Sequence, residues 1–298
     1  MLSSNNSGKG INEEFDEPMK EIEYEKLVLG PIIFMDDIFR MAGNRDNAQY
    51  TNNKMEAFVE KKLLKLNFLK SGFLIVGNKK DRRKLNQQIE DKPLELCGQK
   101  MLEVKVIKFL GDYIAANNQE SVHQTVLKRQ GLARLAIHEI RAVVEDTRAS
   151  HLGGINVALA LWEGAVVTML LYNSETWLNI SSKTWKILNS IFNDFYRCLF
   201  RIGTGCPIIG FYWHCGDLFV ENLVLQRKLN FVHHLANLEE GLAKEVYELQ
   251  EKSETGIVSE MKEHFINIKV ESPRGYTKWQ WEEDGEDLHK KEESEGNH

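Results

Sequence analysis

The sequence predicts an α+β chain in which a small antiparallel sheet with one packed helix precedes an α-helical bundle. Two observations carry this. Up to about residue 116 the apolar residues come in short runs closed by Gly, Pro, Asn or Asp, as brief strands and turns require. Past Glu120 the apolar spacing changes to steps of three and four, the period of an amphipathic helix. With 298 residues, 42% of them hydrophobic, the chain can bury a core in two connected globular units. The expected division is a disordered start (1–22), a sheet region (23–116), a helical region (117–255) and a mostly disordered acidic tail (256–298).

In chain order, Leu27-Val28-Leu29, Gly30-Pro31 and Ile32-Ile33-Phe34 read as an approach and a strand, and Ile38-Phe39 as its return. Asp36-Asp37 is then the tip. Adjacent carboxylates flanked by apolar residues suit a core strand poorly unless they bind something, and at a turn one of the pair would dominate as ligand. Hard oxygen donors suit Mg2+ or Mn2+, the ions used to handle nucleotide phosphates. From Asn47 to Leu66 the residues Met55, Phe58, Val59, Leu63 and Leu66 form the apolar stripe of a helix. Phe73 to Val76 reads as a strand buried on both faces, ending at Gly77-Asn78. Leu94–Cys97, a Gly98-Gln99 turn and Leu102–Ile107 read as one hairpin, with Phe109-Leu110-Gly111-Asp112 closing it, where Gly111 allows close approach of backbone or ligand.

Val122, Val126, Leu135, Ile140, Val143 and Val144 fit one long helix or two, with Arg129, Arg134, Arg141 and Arg148 mostly on other faces. Residues 155–172 are apolar nearly all round and read as the central helix of the bundle. Ser181 or Ser182 caps a helix striped by Trp185, Leu188, Phe192, Phe195 and Leu199, with Gly203 as its stop. Asp217 opens another helix, and a shorter one ends near Gln250.

Charge is distributed unevenly. The formal net charge is −6, yet residues 54–148 hold 19 Lys and Arg against 12 Asp and Glu. A basic centre between acidic ends is what a phosphate-binding groove needs, and Lys79, Lys80, Arg82 and Arg83 are its densest part. The four cysteines lack paired spacing and read as reduced structural thiols, and Cys206, His214 and Cys215 do not match zinc-ligand spacings. Residues 157–172 contain Glu163 and are too few to cross a bilayer, and the N-terminus has no apolar signal core. An intracellular protein is expected, with nucleus and cytoplasm left open.

Four segments together carry a resemblance. Phe34-Met35-Asp36-Asp37 resembles the aromatic-x-Asp-Asp signature of reverse transcriptases. Leu66-Asn67-Phe68-Leu69-Lys70-Ser71 is similar to the Asn-x-x-Lys-Ser/Thr stretch that follows it. Lys108-Phe109-Leu110-Gly111-Asp112-Tyr113 resembles the primer-grip segment, and residues 170–177, Leu-Leu-Tyr-Asn-Ser-Glu-Thr-Trp, resemble the Leu-Tyr-Gly-Ser-Glu-Thr-Trp signature beyond the palm. Their order is that of non-LTR, LINE-type retrotransposon reverse transcriptases, over roughly residues 24–250.

The resemblance implies a partial palm followed by a thumb-like bundle, and RNA-directed DNA polymerase chemistry on an RNA template and a DNA primer. It implies Asp36 and Asp37 as metal ligands and catalytic residues. It implies Lys70 near the incoming nucleotide, where a cation can offset charge on the leaving pyrophosphate. Phe109, Leu110 and Gly111 would contact the primer. In the family a further Asp lies on an upstream strand together with the fingers, and residues 1–22 hold no counterpart. The expectation is therefore a C-terminal half of the core, inactive alone, with a non-catalytic nucleic-acid-binding or inert remnant as the alternative.

Overall fold

Among the described residues every sheet has two strands. The computed structural model describes residues 23–24, 27–28, 32–34, 37–149, 154–216, 218–252 and 256–267, and the chain divides into two units, 1–105 and 106–298. The expectations for residues 1–22 and 268–298, and for Asp217 as a cap, lie outside the described residues.

In the first unit, β1 (Glu23–Tyr24) pairs antiparallel with β2 (Leu27–Val28), and β3 (Ile32–Phe34) with β4 (Asp37–Phe39). Helix α1 (Arg45–Lys61) starts where the Asn44 side chain accepts the Asn47 amide at 2.8 Å. It ends short of the expected Leu66, because Leu63 takes a left-handed conformation (φ 54°) that a helix cannot continue. Strand β5 (Gly72–Phe73), helix α2 (Lys79–Asp91), strands β6 (Glu95–Leu96) and β7 (Gln99–Lys100), and strand β8 (Leu102–Glu103) follow.

β5 pairs parallel with β8, its only strand partner among the described residues, so the strand expected at 73–76 is shorter and not enclosed on both faces. Ile75 reaches the core, whereas Val76 is 60% exposed. β6 and β7 form a tight hairpin through Cys97-Gly98, both with positive φ as a two-residue primed turn demands. The unit's core is Ile75, Ile89, Leu94, Leu96 and Met101. α1 is fastened to this edge by its polar residues: Asn52 Nδ2 donates to the Glu95 carbonyl, and Gln49 Oε1 accepts the Glu95 amide, both at 2.8 Å.

The second unit opens on a separate hairpin, β9 (Val106–Phe109) and β10 (Asp112–Ala115), turning at Leu110-Gly111. Two hairpins thus replace the single one expected over 94–112. Each has its own pair of positive-φ residues: the first turns at Cys97-Gly98, one residue before the expected Gly98-Gln99, and the second, Leu110 and Gly111, closes 106–109 on 112–115. Helix α3 (Asn118–Ala149) is one unbroken helix, with Asn117 Oδ1 accepting the Glu120 amide at 2.8 Å. Val122, Val126, Ala133, Ile137, Ile140 and Val144 line its buried face, while Leu135 and Val143 face outward, against expectation.

Helix α4 (Gly154–Leu161) runs into a π-helical stretch, Trp162–Val167, and a last α turn, Thr168–Leu170. This segment is not the enclosed central helix that its composition suggested. Ala158, Trp162, Val166, Val167 and Leu170 are buried, but Ile155, Val157 and Leu161 are each about 40% exposed, because neighbours cover one side only. The central position belongs instead to α5 (Ser182–Phe200), capped by Ser181, which buries Leu188, Ile191, Phe192, Phe195, Tyr196 and Leu199. Trp162 stacks on Phe195 with ring centroids 4.1 Å apart. α5 ends before it reaches Gly203, on Arg201 in the left-handed region (φ 55°).

Helices α6 (Ile209–Cys215), α7 (Val220–Ala236), α8 (Leu242–Lys252) and α9 (Ile257–Asn267) complete the unit. α9 lies where an acidic tail was expected, and it packs because Ile257, Val258 and Met261 join Leu229, Val232 and Tyr247 in one apolar cluster. Lys228, 4% exposed, is neutralised there by Glu260 at 2.6 Å. The coarse expectation, α+β with small sheets and a predominantly helical remainder, describes the observed architecture. Among the described residues no helix is long and apolar enough to cross a membrane.

Candidate nucleic-acid interface and the Arg129 junction

In the first unit, β3 and β4 pair with Phe34 opposite Asp37, so Asp37 opens the return strand instead of sharing the tip as expected. Asp36 itself lies outside the described residues, and Asp37 is described by its backbone alone. Among the described residues no group of three or more His, Cys, Asp or Glu is placed to hold a metal ion. Lys70 ends a 3-10 turn (Phe68–Lys70) just before β5 and is exposed.

The basic run forms the first turns of α2. Asn78 caps that helix, its side-chain oxygen accepting the amides of Lys80 and Asp81 at 3.0 Å. Lys79, Lys80, Arg83 and Lys84 are exposed, at spacings that form two adjacent i, i+4 columns on one side of the helix. Their charge adds to the positive helix end. Arg82 differs from its neighbours, being half-buried with its Nε buried and unpartnered, so Lys84 is a better presented cation than Arg82.

The second unit brings together two segments that are about sixty residues apart in sequence, the Leu110-Gly111 turn and residues 170–177. Arg129 joins them. It is 6% exposed and sits on the buried stripe of α3, not on an outward face as expected. Nη1 donates to the carbonyls of Leu170 (3.3 Å) and Tyr172 (2.7 Å). Nη2 donates to the Gly111 carbonyl (2.9 Å) and to Asp112 Oδ1 (2.7 Å). Asp112 Oδ2 accepts from Asn173 Nδ2 at 2.9 Å, closing a loop of polar contacts. Burial pulls the Arg129 guanidinium below its ordinary pKa, and the Asp112 carboxylate opposes that shift. Arg227 takes the remaining carbonyl, Leu171, at 2.9 Å, so two cations cover the C-terminal carbonyls of this helix where its dipole favours positive charge.

The same hairpin is fixed along the whole of β10. Thr125 Oγ1 accepts the Tyr113 amide at 3.0 Å and Ser121 Oγ accepts the Ala115 amide at 2.9 Å. Ser121, Thr125 and Arg129 are four residues apart on α3 and meet alternate residues 115, 113 and 111. Four helical residues rise about 6.0 Å and two strand residues about 6.6 Å, so the two repeats stay in step. Gly111 has φ 87°, and a Cβ there would lie 3.3 Å from Tyr172 Cε1, so the neighbour that comes close is an aromatic ring. Phe109 is half-buried, whereas Leu110 is 41% exposed in the left-handed region (φ 48°).

Arg129 is legible in part: a charged residue interrupts the otherwise apolar series Val122, Val126, Ala133, Ile137. Ser121 and Thr125 give no signal, since hydroxyls on a helix more often face water. No protein-family profile, no characterised protein and no solved structure matches the chain.

Proposed function

We propose that this chain is a fragment of a non-LTR retrotransposon reverse transcriptase, a partial palm followed by a thumb-like helical region, which binds an RNA template and a DNA primer. The observation that carries the reading is the Arg129 junction. Two segments singled out separately by resemblance, 108–113 and 170–177, are tied to each other by one buried side chain. Chance matches have no reason to share a buried polar network, whereas parts of one functional unit do. The hairpin at 32–39 agrees with the same reading, because its connection is the acidic segment.

Under this reading Asp36 and Asp37 would hold Mg2+ or Mn2+, the ion would supply charge stabilisation for nucleotidyl transfer, and Lys70 would face the leaving pyrophosphate. Among the described residues no group of three or more His, Cys, Asp or Glu is placed to hold such an ion. What the chain does by itself is hold nucleic acid. Lys79, Lys80, Arg83 and Lys84 contact phosphates with little sequence preference, and Phe109, Leu110 and Gly111 present the hairpin tip to a primer strand.

The test is equilibrium binding of the chain to single-stranded DNA over a range of salt. Binding should weaken as salt rises, and replacing Lys79, Lys80, Arg83 and Lys84 by Ala should reduce the logarithmic salt slope by about 3, the value for four phosphate contacts on a single strand. An unchanged slope removes the α2 patch from the account. Primer extension by the chain joined to the family's upstream half should vanish on Asp36→Ala. Extension by the fused protein that survives Asp36→Ala overturns the assignment of the acidic hairpin.

A further inference from the structure

We propose that Tyr172 is a stacking platform for an unpaired nucleobase, a role that rests on the nucleic-acid reading above and names the part of the ligand taken at the Arg129 junction. The ring is held from behind. The Arg129 guanidinium carbon lies 5.6 Å from the ring centroid, and the same guanidinium donates to the Tyr172 carbonyl at 2.7 Å, so backbone and ring share one anchor. Gly111 lies close to the ring, with 3.3 Å between the position of a Cβ and Cε1, which any other residue at 111 would crowd.

Despite these contacts Tyr172 remains 47% exposed. A tyrosine with one face against a buried cation and its surface half open presents an aromatic plane that is already ordered, so stacking costs little further side-chain entropy. Nearby at the turn, Leu110 is 41% exposed, its left-handed conformation set by the two-residue turn it shares with Gly111. The elements that grip the ring also carry exposed cations, Lys108 on β9 and Lys128 on α3. An aromatic plane with lysines on its supporting elements matches the chemistry of a single strand, whose bases stack and whose phosphates pair.

The experiment compares binding of the full chain to a fluorescein-labelled oligothymidylate and to the same strand with abasic sites in place of bases. Base-on-aromatic stacking predicts that the wild type prefers the base-bearing strand by roughly five- to hundred-fold. Tyr172→Leu should bring the two affinities together, and Tyr172→Phe should keep the preference, with the salt slope the same in all three proteins. A second measurement avoids dependence on the variants: photo-crosslinking of a bromodeoxyuridine strand to the wild type should place an adduct on Tyr172. Wild-type binding without preference for bases, or an undiminished preference in folded Tyr172→Leu, overturns the platform and leaves the nucleic-acid reading standing. Adducts confined to other residues do the same. Failure to bind either strand at low salt overturns both.

Discussion

Replacing Arg129 by Met keeps an unbranched side chain of similar length but removes four hydrogen bonds at once. Three of the lost acceptors are main-chain carbonyls, of Gly111, Leu170 and Tyr172, and the fourth is Asp112. Breaking a buried ion pair by deleting one partner costs about 3–5 kcal/mol, because the remaining group is left uncompensated. Two features place Arg129→Met toward the lower end. Asp112 is 23% exposed and keeps the Asn173 contact, and Met no longer has to be stripped of a guanidinium's water. The expected loss is therefore about 3 kcal/mol, assigned to the unit that contains residues 106–267. Arg129→Lys should lose about 2 kcal/mol, since a single ammonium cannot reach both the hairpin and the 170–172 carbonyls as the planar fork does. Urea unfolding followed by tryptophan fluorescence reads this out, with Trp162 and Trp177 buried in the affected unit. A loss under about 1 kcal/mol for Arg129→Met would show that the carbonyls are satisfied by other means, and the junction would lose its place as the link between the two segments.

Two further outcomes are expected. Ser174 is fully buried and its Oγ has no hydrogen-bond partner, so Ser174→Ala should stabilise the second unit by about 1 kcal/mol, and a comparable loss measured by the same unfolding assay would reveal a partner for that hydroxyl. Burial raises the Cys198 thiol above its ordinary value of 9.0, with Arg141 opposing and Glu145 adding to the rise, so at pH 8 it should alkylate more slowly than the exposed Cys97 and Cys206. Because the folded state holds that proton more tightly than the unfolded one, the contribution to stability is complete below pH 9 and is lost as pH rises above it. Mass-spectrometric rates of iodoacetamide labelling check the order, and labelling of Cys198 as fast as Cys97 would contradict it.

Local signals in the sequence carried well where a single element decides its own form. Ser181 ahead of an aromatic stripe located α5 and its cap, and the break between Phe34 and Ile38 located the β3–β4 hairpin. The signals failed where the outcome depends on what packs alongside. Residues 155–172 are apolar enough to be enclosed, but hydrophobicity does not state how many neighbours arrive, and Ile155, Val157 and Leu161 remain partly uncovered. The helix ends at Lys61 and Phe200 were missed because Leu63 and Arg201 adopt positive φ without the glycine that usually announces it. Among candidate site residues, the acidic turn and the α2 cations were visible as runs of charge. Arg129 lies in the apolar series 122, 126, 133, 137, but its charge pointed to an outward face, and its role emerges only through partners 18 residues before it and 43 residues after it.

The matched repeat between β10 and α3 has a consequence for how this region can change by insertion. Surface connections generally accept added residues at little cost, because closing a slightly longer loop changes the entropy only modestly. The connector Ala116–Asn117 is different. One residue gained there would move the Ser121 and Thr125 hydroxyls and the Arg129 fork past their partners together, because all three are borne by a single rigid helix. A shift by one whole helical turn against two strand residues would restore at most one hydroxyl–amide contact and would carry Arg129 off the Leu110-Gly111 turn. An added residue should therefore be borne better in the loops after α5 and α7, and the span from 111 to 129 behaves as a fixed ruler.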